Sequence, residues 1–175
     1  MNKWLLIGLI VLGGYQGWDY YLKRDRIQSD YMSSDWYWDA QGYQRAIAES
    51  ERTGAPVLVY FYADWCRFCK KLDREYFDQA EFSTHLLPVI KVRVNPERSQ
   101  ANRELAVQYQ VPGYPLLFAK YPQVSAPQYI RTQYTEQGFN VTVGQSAVLM
   151  KGEDLYQAIN YFAPDPFRNW VSQWL

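Results

Sequence analysis

Apolar and polar positions along this 175-residue chain change period several times, and each change predicts an element. The first pattern is an unbroken apolar run, Trp4 to Gly14 (WLLIGLIVLGG). Lys3 precedes it, and Tyr15, Trp18, Tyr20 and Tyr21 follow before Lys23, Arg24 and Arg26. Trp4 to Tyr21 as a helix spans roughly 25 Å with aromatic residues at both ends, so residues 1–22 read as a signal anchor or transmembrane segment. A cleavable signal peptide is the alternative. Val11-Leu12-Gly13 is the nearest imitation of a small-residue cleavage site, and the uncleaved anchor is therefore favoured. Residues 23–38 are polar with scattered aromatics and no sustained period, which predicts a juxtamembrane linker.

The domain is expected over 39–175. Tyr43, Ala46, Ile47 and Ser50 recur at helical spacing up to Gly54, and Pro56 then opens the compact run VLVYFY, 57–62, a buried strand. Phe68, Cys69, Leu72 and Tyr76 continue at three-and-four spacing, with Lys70, Lys71, Asp73 and Arg74 assigned to the other, solvent side. Asp78-x-x-Glu81 resembles a capping box and introduces a short helix carrying Phe82 and Leu86. Residues 89–94 (VIKVRV) alternate as a strand. Asn95-Pro96 breaks that strand, and Ala101, Leu105, Ala106 and Tyr109 mark a further helix. VPGYPLLF, 111–118, predicts a turn followed by a buried strand.

Residues 121–145 read as an insertion, with weak alternation at 129–134 and 139–143. Beyond it, 146–150 predicts a short strand, Leu155, Ile159 and Phe162 a closing helix, and Phe167, Trp170, Val171 and Trp174 a last helical segment.

Composition narrows the function. Eighteen basic residues balance eighteen acidic ones, so no overall field gathers nucleic acid. Aromatic residues make up 18% of the chain, enough bulk for one substantial core. Only two cysteines occur, so disulfide stapling does not hold the domain together, and the pair is available for chemistry.

Both cysteines lie in ADWCRFCKKL, 63–72, where a strand runs into a helix. A cysteine at a helix start faces unpaired backbone N–H groups and the positive end of the helix dipole, which favours thiolate. Arg67 adds positive charge. Cys69, one turn on, is placed to attack a mixed disulfide formed at Cys66 and release the substrate. Two other readings stand beside this one. A zinc site would need ligands beyond Cys66 and Cys69, and the chain offers one histidine, His85; no metal is expected. A static disulfide would close so small a loop that it would stabilise little.

The strand, the WCxxC pair at a helix start and the later G-x-P together resemble the thioredoxin family over roughly residues 40–120, with GEDLYQAINYF similar to its closing helix. ADWC and the anchor most resemble its membrane-tethered or exported bacterial members. The resemblance implies an α/β fold with a central mixed sheet flanked by helices. It also implies a cis proline at Pro115 lying against the cysteines, and a backbone at Tyr114 free to pair with an extended substrate. Trp65 flanks the reactive sulfur. Six residues before the first cysteine the family usually carries a buried aspartate, where this chain has Tyr60. Lys91 matches a lysine often found near that aspartate and, with Asp64, is a candidate for tuning the cysteines.

The expected function is thus a thiol–disulfide oxidoreductase. It would have no organic cofactor, only a redox-active Cys66–Cys69 disulfide, with protein substrates and a redox partner protein. The expected location is the bacterial inner membrane, single-pass, with the domain facing the periplasm. Family analogy favours the reductase direction. The rival expectation is a binding or assembly module that uses the same platform without catalysis.

Overall fold

The structure, a computed structural model, describes residues 35–143, 145–161 and 163. Its centre is the strand β2 (Val57–Phe61), all five residues of which are buried, as an apolar run without alternation predicts. β3 (Ile90–Val94) lies parallel to it with Tyr60 opposite Arg93, and β4 (Leu116–Lys120) antiparallel with Tyr60 opposite Leu117. The outer strands are β1 (Trp36–Trp38), parallel to β3, and β5 (Gln128–Ile130), antiparallel to β4, giving the order β1-β3-β2-β4-β5.

Helices cover both faces. On one face α1 (Asp39–Thr53) and α4 (Gln100–Gln108) lay Ala46, Leu105 and Ala106 on Val57, Val59, Phe61, Ile90, Val92 and Val94. α1 stops at Gly54, whose φ of 77° is costless for glycine and lets its N–H reach the Ser50 carbonyl at 2.7 Å. On the other face lie α2 (Arg67–Leu72), a π-helical segment (Asp73–Phe77), α3 (Ala80–His85) and α5 (Gly152–Tyr161). There Leu58 and Tyr60 meet Cys69, Leu72, Phe77, Phe82, Leu155 and Ile159 in a second core.

The segment after β5 forms its own antiparallel sheet, β6 (Thr132–Thr135), β7 (Gly138–Val143) and β8 (Ser146–Leu149), with β7 in the middle. It packs against the second core through Phe139 and Val141. The weak alternation at 129–134 and 139–143 therefore belongs to two sheets, with Arg131 between β5 and β6.

Four expectations change. The domain begins in the main sheet at Trp36, inside the stretch expected to be linker, because β3 has an open edge that Trp36–Trp38 completes. The apparent alternation of β3 is not exposure, since Lys91 and Arg93 are buried beneath the helices of the second face. Lys91 donates to the carbonyls of Leu86 and Val89, both at 3.3 Å. α3 is capped at Gln79 without a side-chain bond, so the Asp78 box does not form. Asp73, expected on the solvent side of a continuous helix, turns inward where α2 passes into the π-helical segment.

Among the described residues no helix is long and apolar enough to cross a membrane. The expected anchor, residues 1–22, and the last segment with Trp170 and Trp174 lie outside them.

Candidate redox site

The C-terminal end of β2 delivers Ala63, Asp64 and Trp65 as a tight turn that leads into α2, with the Cys66 N–H donating to the Ala63 carbonyl at 3.0 Å. Cys66 is the N-cap residue of α2. Its sulfur accepts the Cys69 N–H at 3.1 Å, and its carbonyl accepts the Lys70 N–H at 3.1 Å. An N–H aimed at the sulfur is the local device that favours negative charge there. Cys66 and Cys69 are joined as a disulfide. In this oxidised state the pair is enclosed, Cys66 keeping 3% and Cys69 1% of its surface. The neighbours supply the exposed rim: Trp65 at 68% and Phe68 at 46%.

Trp65 is held rather than loose. Its indole N–H donates to the Glu97 carboxylate, with both oxygens within 2.9 Å, and its ring meets Tyr114 edge-on at 6.1 Å. Asp64 pairs with Arg98 at 3.0 Å. Both contacts tie the turn after β2 to the turn after β3, as parallel neighbouring strands must end on the same side of a sheet. That geometry was the available sequence signal for Glu97 and Arg98, residues that the motif alone does not point to. The Tyr114–Pro115 peptide is cis, and Tyr114 stands beside Trp65. Beyond Tyr114 opens a cleft of about 430 Å³, bordered by Glu97, Arg103, Val107 and Val111. Arg67 is exposed on the outside of α2.

The other flank of the disulfide is built by the added sheet. Tyr134 of β6 lies against Phe68, ring centroids 5.1 Å apart, and rests in turn on Phe139, also at 5.1 Å. Lys71 donates to the Tyr134 hydroxyl and sits 4.3 Å over its ring. Nothing in the sequence marks Tyr134 as a neighbour of the cysteines, 65 to 68 positions away.

Below the pair, Tyr60 is fully buried and its hydroxyl lies 3.4 Å from the Cys69 carbonyl. In the same buried cluster the Asp73 carboxylate has its Oδ1 3.3 Å from Arg93 Nη1. Arg93 stacks on Trp36 at 4.3 Å and reaches Asp78 at 3.7 Å. Burial, only partly offset by Arg93, pushes the Asp73 carboxyl up to about 6. Burial also raises the Tyr60 hydroxyl and brings the Lys91 ammonium down to about 8. Lys91 thus shares the face of the sheet below the cysteines, but its bonds to Leu86 and Val89 brace the connection into β3. No three acidic, histidine or cysteine side chains among the described residues converge as a metal site.

Comparison with known proteins agrees with this geometry. The family model described as Thioredoxin matches residues 36–143, starting at β1 and ending with β7. A protein disulfide-isomerase of Ricinus communis is 44% identical over 62 residues, 35% of this chain and 12% of that protein. The thiol:disulfide interchange protein DsbD of a Pseudomonas species is 36% identical over 80 residues, 45% of this chain and 14% of that protein. The chain thus spans about an eighth of the length of these relatives. The solution structure of a thioredoxin from Thermus thermophilus aligns with 26% identity and a TM-score of 0.46, covering 55% of this chain and 71% of its own. The family match, over more than half of the chain and including the paired cysteines at the head of α2, places the chain in the thioredoxin family.

Proposed function

We propose that this protein is a thiol–disulfide oxidoreductase that reduces disulfides of cell-envelope proteins. The observation that carries the reading is the Cys66–Cys69 disulfide at the N-cap of α2, with the Cys69 N–H on the Cys66 sulfur. In the reduced state the Cys66 thiolate attacks one sulfur of the substrate disulfide. A Cys66–substrate bond forms, the substrate S–S bond breaks, and one substrate thiolate leaves. Cys69 then loses its proton and attacks the Cys66 sulfur, releasing the second substrate thiolate and forming the bond present here. Two electrons pass from the protein to the substrate, and a partner dithiol protein restores them.

Residues 1–22 fit a single-pass anchor in the bacterial inner membrane with the domain facing the periplasm, where such disulfides persist. Trp65 and Tyr114 offer an aromatic rim and a free backbone edge to an extended substrate. The relatives named as disulfide isomerase and interchange protein support the reaction class.

Trapping tests the roles. Cys69→Ser should accumulate mixed disulfides with envelope proteins, whereas Cys66→Ser should not; equal trapping by both overturns the assignment. Release of the full-length protein from membranes by carbonate would overturn the anchor. The rival reading, a binding or assembly module, gains support from the enclosure of the pair and from the added sheet. An intact cellular phenotype after replacing both cysteines would establish it instead.

A further inference from the structure

Residues 67–74 gather positive charge on the outside of the molecule, although the chain as a whole is neutral. Arg67, Lys70 and Arg74 are exposed and Lys71 is half-buried. Spacings of three and four positions set Arg67, Lys70 and Lys71 along one side of α2. Glu75 reaches Arg74 at 3.3 Å and Lys71 at 3.9 Å, which keeps Arg74 on that side beyond the helix end. Glu75 offsets one of the four charges. Asp73, the other acid of the stretch, turns inward to Arg93, and Asp64 is held by Arg98. Among the described residues no ion pair involves Arg67 or Lys70.

A step of apolar surface adjoins this cationic side. Phe68 is exposed between Cys66 and Cys69, and the added sheet sets Tyr134 against its ring. Lys71 belongs to both features, since its ammonium donates to the Tyr134 hydroxyl and lies over the ring. That contact fixes Tyr134 next to the charged side of α2. Because Cys66 itself is enclosed, a substrate sulfur reaches it only with its neighbouring residues laid over the rim. On this flank the rim is Phe68, bordered by Tyr134 and by the cations of α2.

We propose that the Phe68–Tyr134 step and the cationic side of α2 form a subsite for protein substrates that carry acidic residues, next to an apolar or aromatic one, beside the cysteine. The proposal rests on the oxidoreductase reading and adds the substrate class to it. Carboxylates near Arg67 and Lys70 gain from opposite charge at the surface, mostly as a faster encounter, and lose little to desolvation because both partners stay wet. The apolar residue covers the Phe68 and Tyr134 rings and supplies contact area. A basic segment meets repulsion at the same place, so the subsite discriminates by exclusion as well as by attraction. An anionic membrane would engage the same cations but would not distinguish one peptide from another.

The test compares two peptide disulfides that differ only beside the cysteine: one has two aspartates and a phenylalanine there, the other two lysines and a phenylalanine. The second-order rate constant for their reduction by the pre-reduced full-length protein in a neutral detergent is measured at about 0.05 M and about 0.5 M salt. The parent protein should reduce the acidic peptide about fivefold faster at low salt, and the ratio should fall toward one at high salt. Lys70→Glu combined with Arg74→Glu should invert the ratio, and Glu75→Gln should raise it. Both changes are at exposed positions, and the double variant should reduce a small neutral aromatic disulfide within twofold of the parent rate. Since the ratio compares two peptides on one protein, any change in the reactivity of Cys66 cancels from it. Tyr134→Ala should slow both peptides alike and leave the ratio in place.

A ratio near one in the parent at low salt, or one that the double variant leaves unchanged, overturns the proposal while leaving the oxidoreductase reading standing. Binding to phosphatidylglycerol vesicles that the double variant loses, together with a parent ratio near one, makes the cations a membrane contact and also overturns it. Failure of the parent to reduce either peptide or the small disulfide overturns the oxidoreductase reading itself.

Discussion

The ring of Phe68, between the two cysteines, lies 5.1 Å from the ring of Tyr134, which arrives from the added sheet. Tyr134 is fixed from behind by Phe139 and from the side by Lys71. The sheet therefore borders the exposed residue that separates the two cysteines. Tyr134→Ala should weaken turnover of peptide disulfides about fivefold through KM, consistent with the roughly 1 kcal/mol of one aromatic contact. Turnover of a small aromatic disulfide should stay within twofold. Steady-state kinetics on the two substrate classes measures the difference.

Lys91 gives the oxidised protein a pH dependence with a definite sign. Its ammonium is brought down to about 8 in the fold, chiefly by burial, and returns to the ordinary lysine range on unfolding. Between those values the unfolded chain binds more protons, so stability rises with pH. Urea midpoints of the oxidised protein should increase from pH 8 to 10. Above that range the buried tyrosines, held protonated by the fold, reverse the trend. Lys91→Met should flatten the rise between pH 8 and 10.

Asp73 acts with the opposite sign at lower pH. Its carboxyl titrates at about 6 folded and in the ordinary carboxylate range unfolded, so the folded state binds more protons in between. Its contribution is most favourable below about pH 4 and declines as pH rises to 6. The stability difference between Asp73→Asn and the parent protein should therefore move in favour of the variant across that window. Parallel urea titrations at pH 4, 5 and 6 read it out.

Gly138 opens β7 at φ 131°, a conformation that side-chain-bearing residues rarely adopt. A Cβ there would sit 2.7 Å from the Tyr76 hydroxyl, the group that accepts the Phe139 N–H. Gly138→Ala should cost about 2 kcal/mol, measured by urea unfolding. It should also loosen Tyr134, which is paired to Phe139, so the selectivity between peptide and small disulfides should fall with it.

Much of the fold was legible because local pattern and burial agree. VLVYF is apolar without alternation and forms the centre of the sheet, and Gly54 and Asn95-Pro96 punctuate where expected. Cys66 stands at the helix start, and the family resemblance led to Pro115 and Tyr114. Asp73 was misread because a period of three to four positions describes an α-helix, and the π-helical turn after Leu72 rotates the next residues out of that register. The burial of Lys91 and Arg93 was not legible in the alternation of 89–94, because a polar residue in a strand signals solvent only when nothing covers it. Here carbonyls hold the Lys91 ammonium, and two carboxylates and the Trp36 ring surround the Arg93 guanidinium.

The chain alone determined where the cysteine pair stands, since two cysteines one helical turn apart behind a buried strand have local causes: spacing, helix polarity and the apolar run. Only the tertiary structure decided what surrounds them. Glu97 on Trp65, Tyr134 on Phe68, and Asp73 with Arg93 near Tyr60 are contacts between segments distant in sequence. Such contacts arise from strand order and sheet packing, which bring together residues whose local sequence carries no mark of one another.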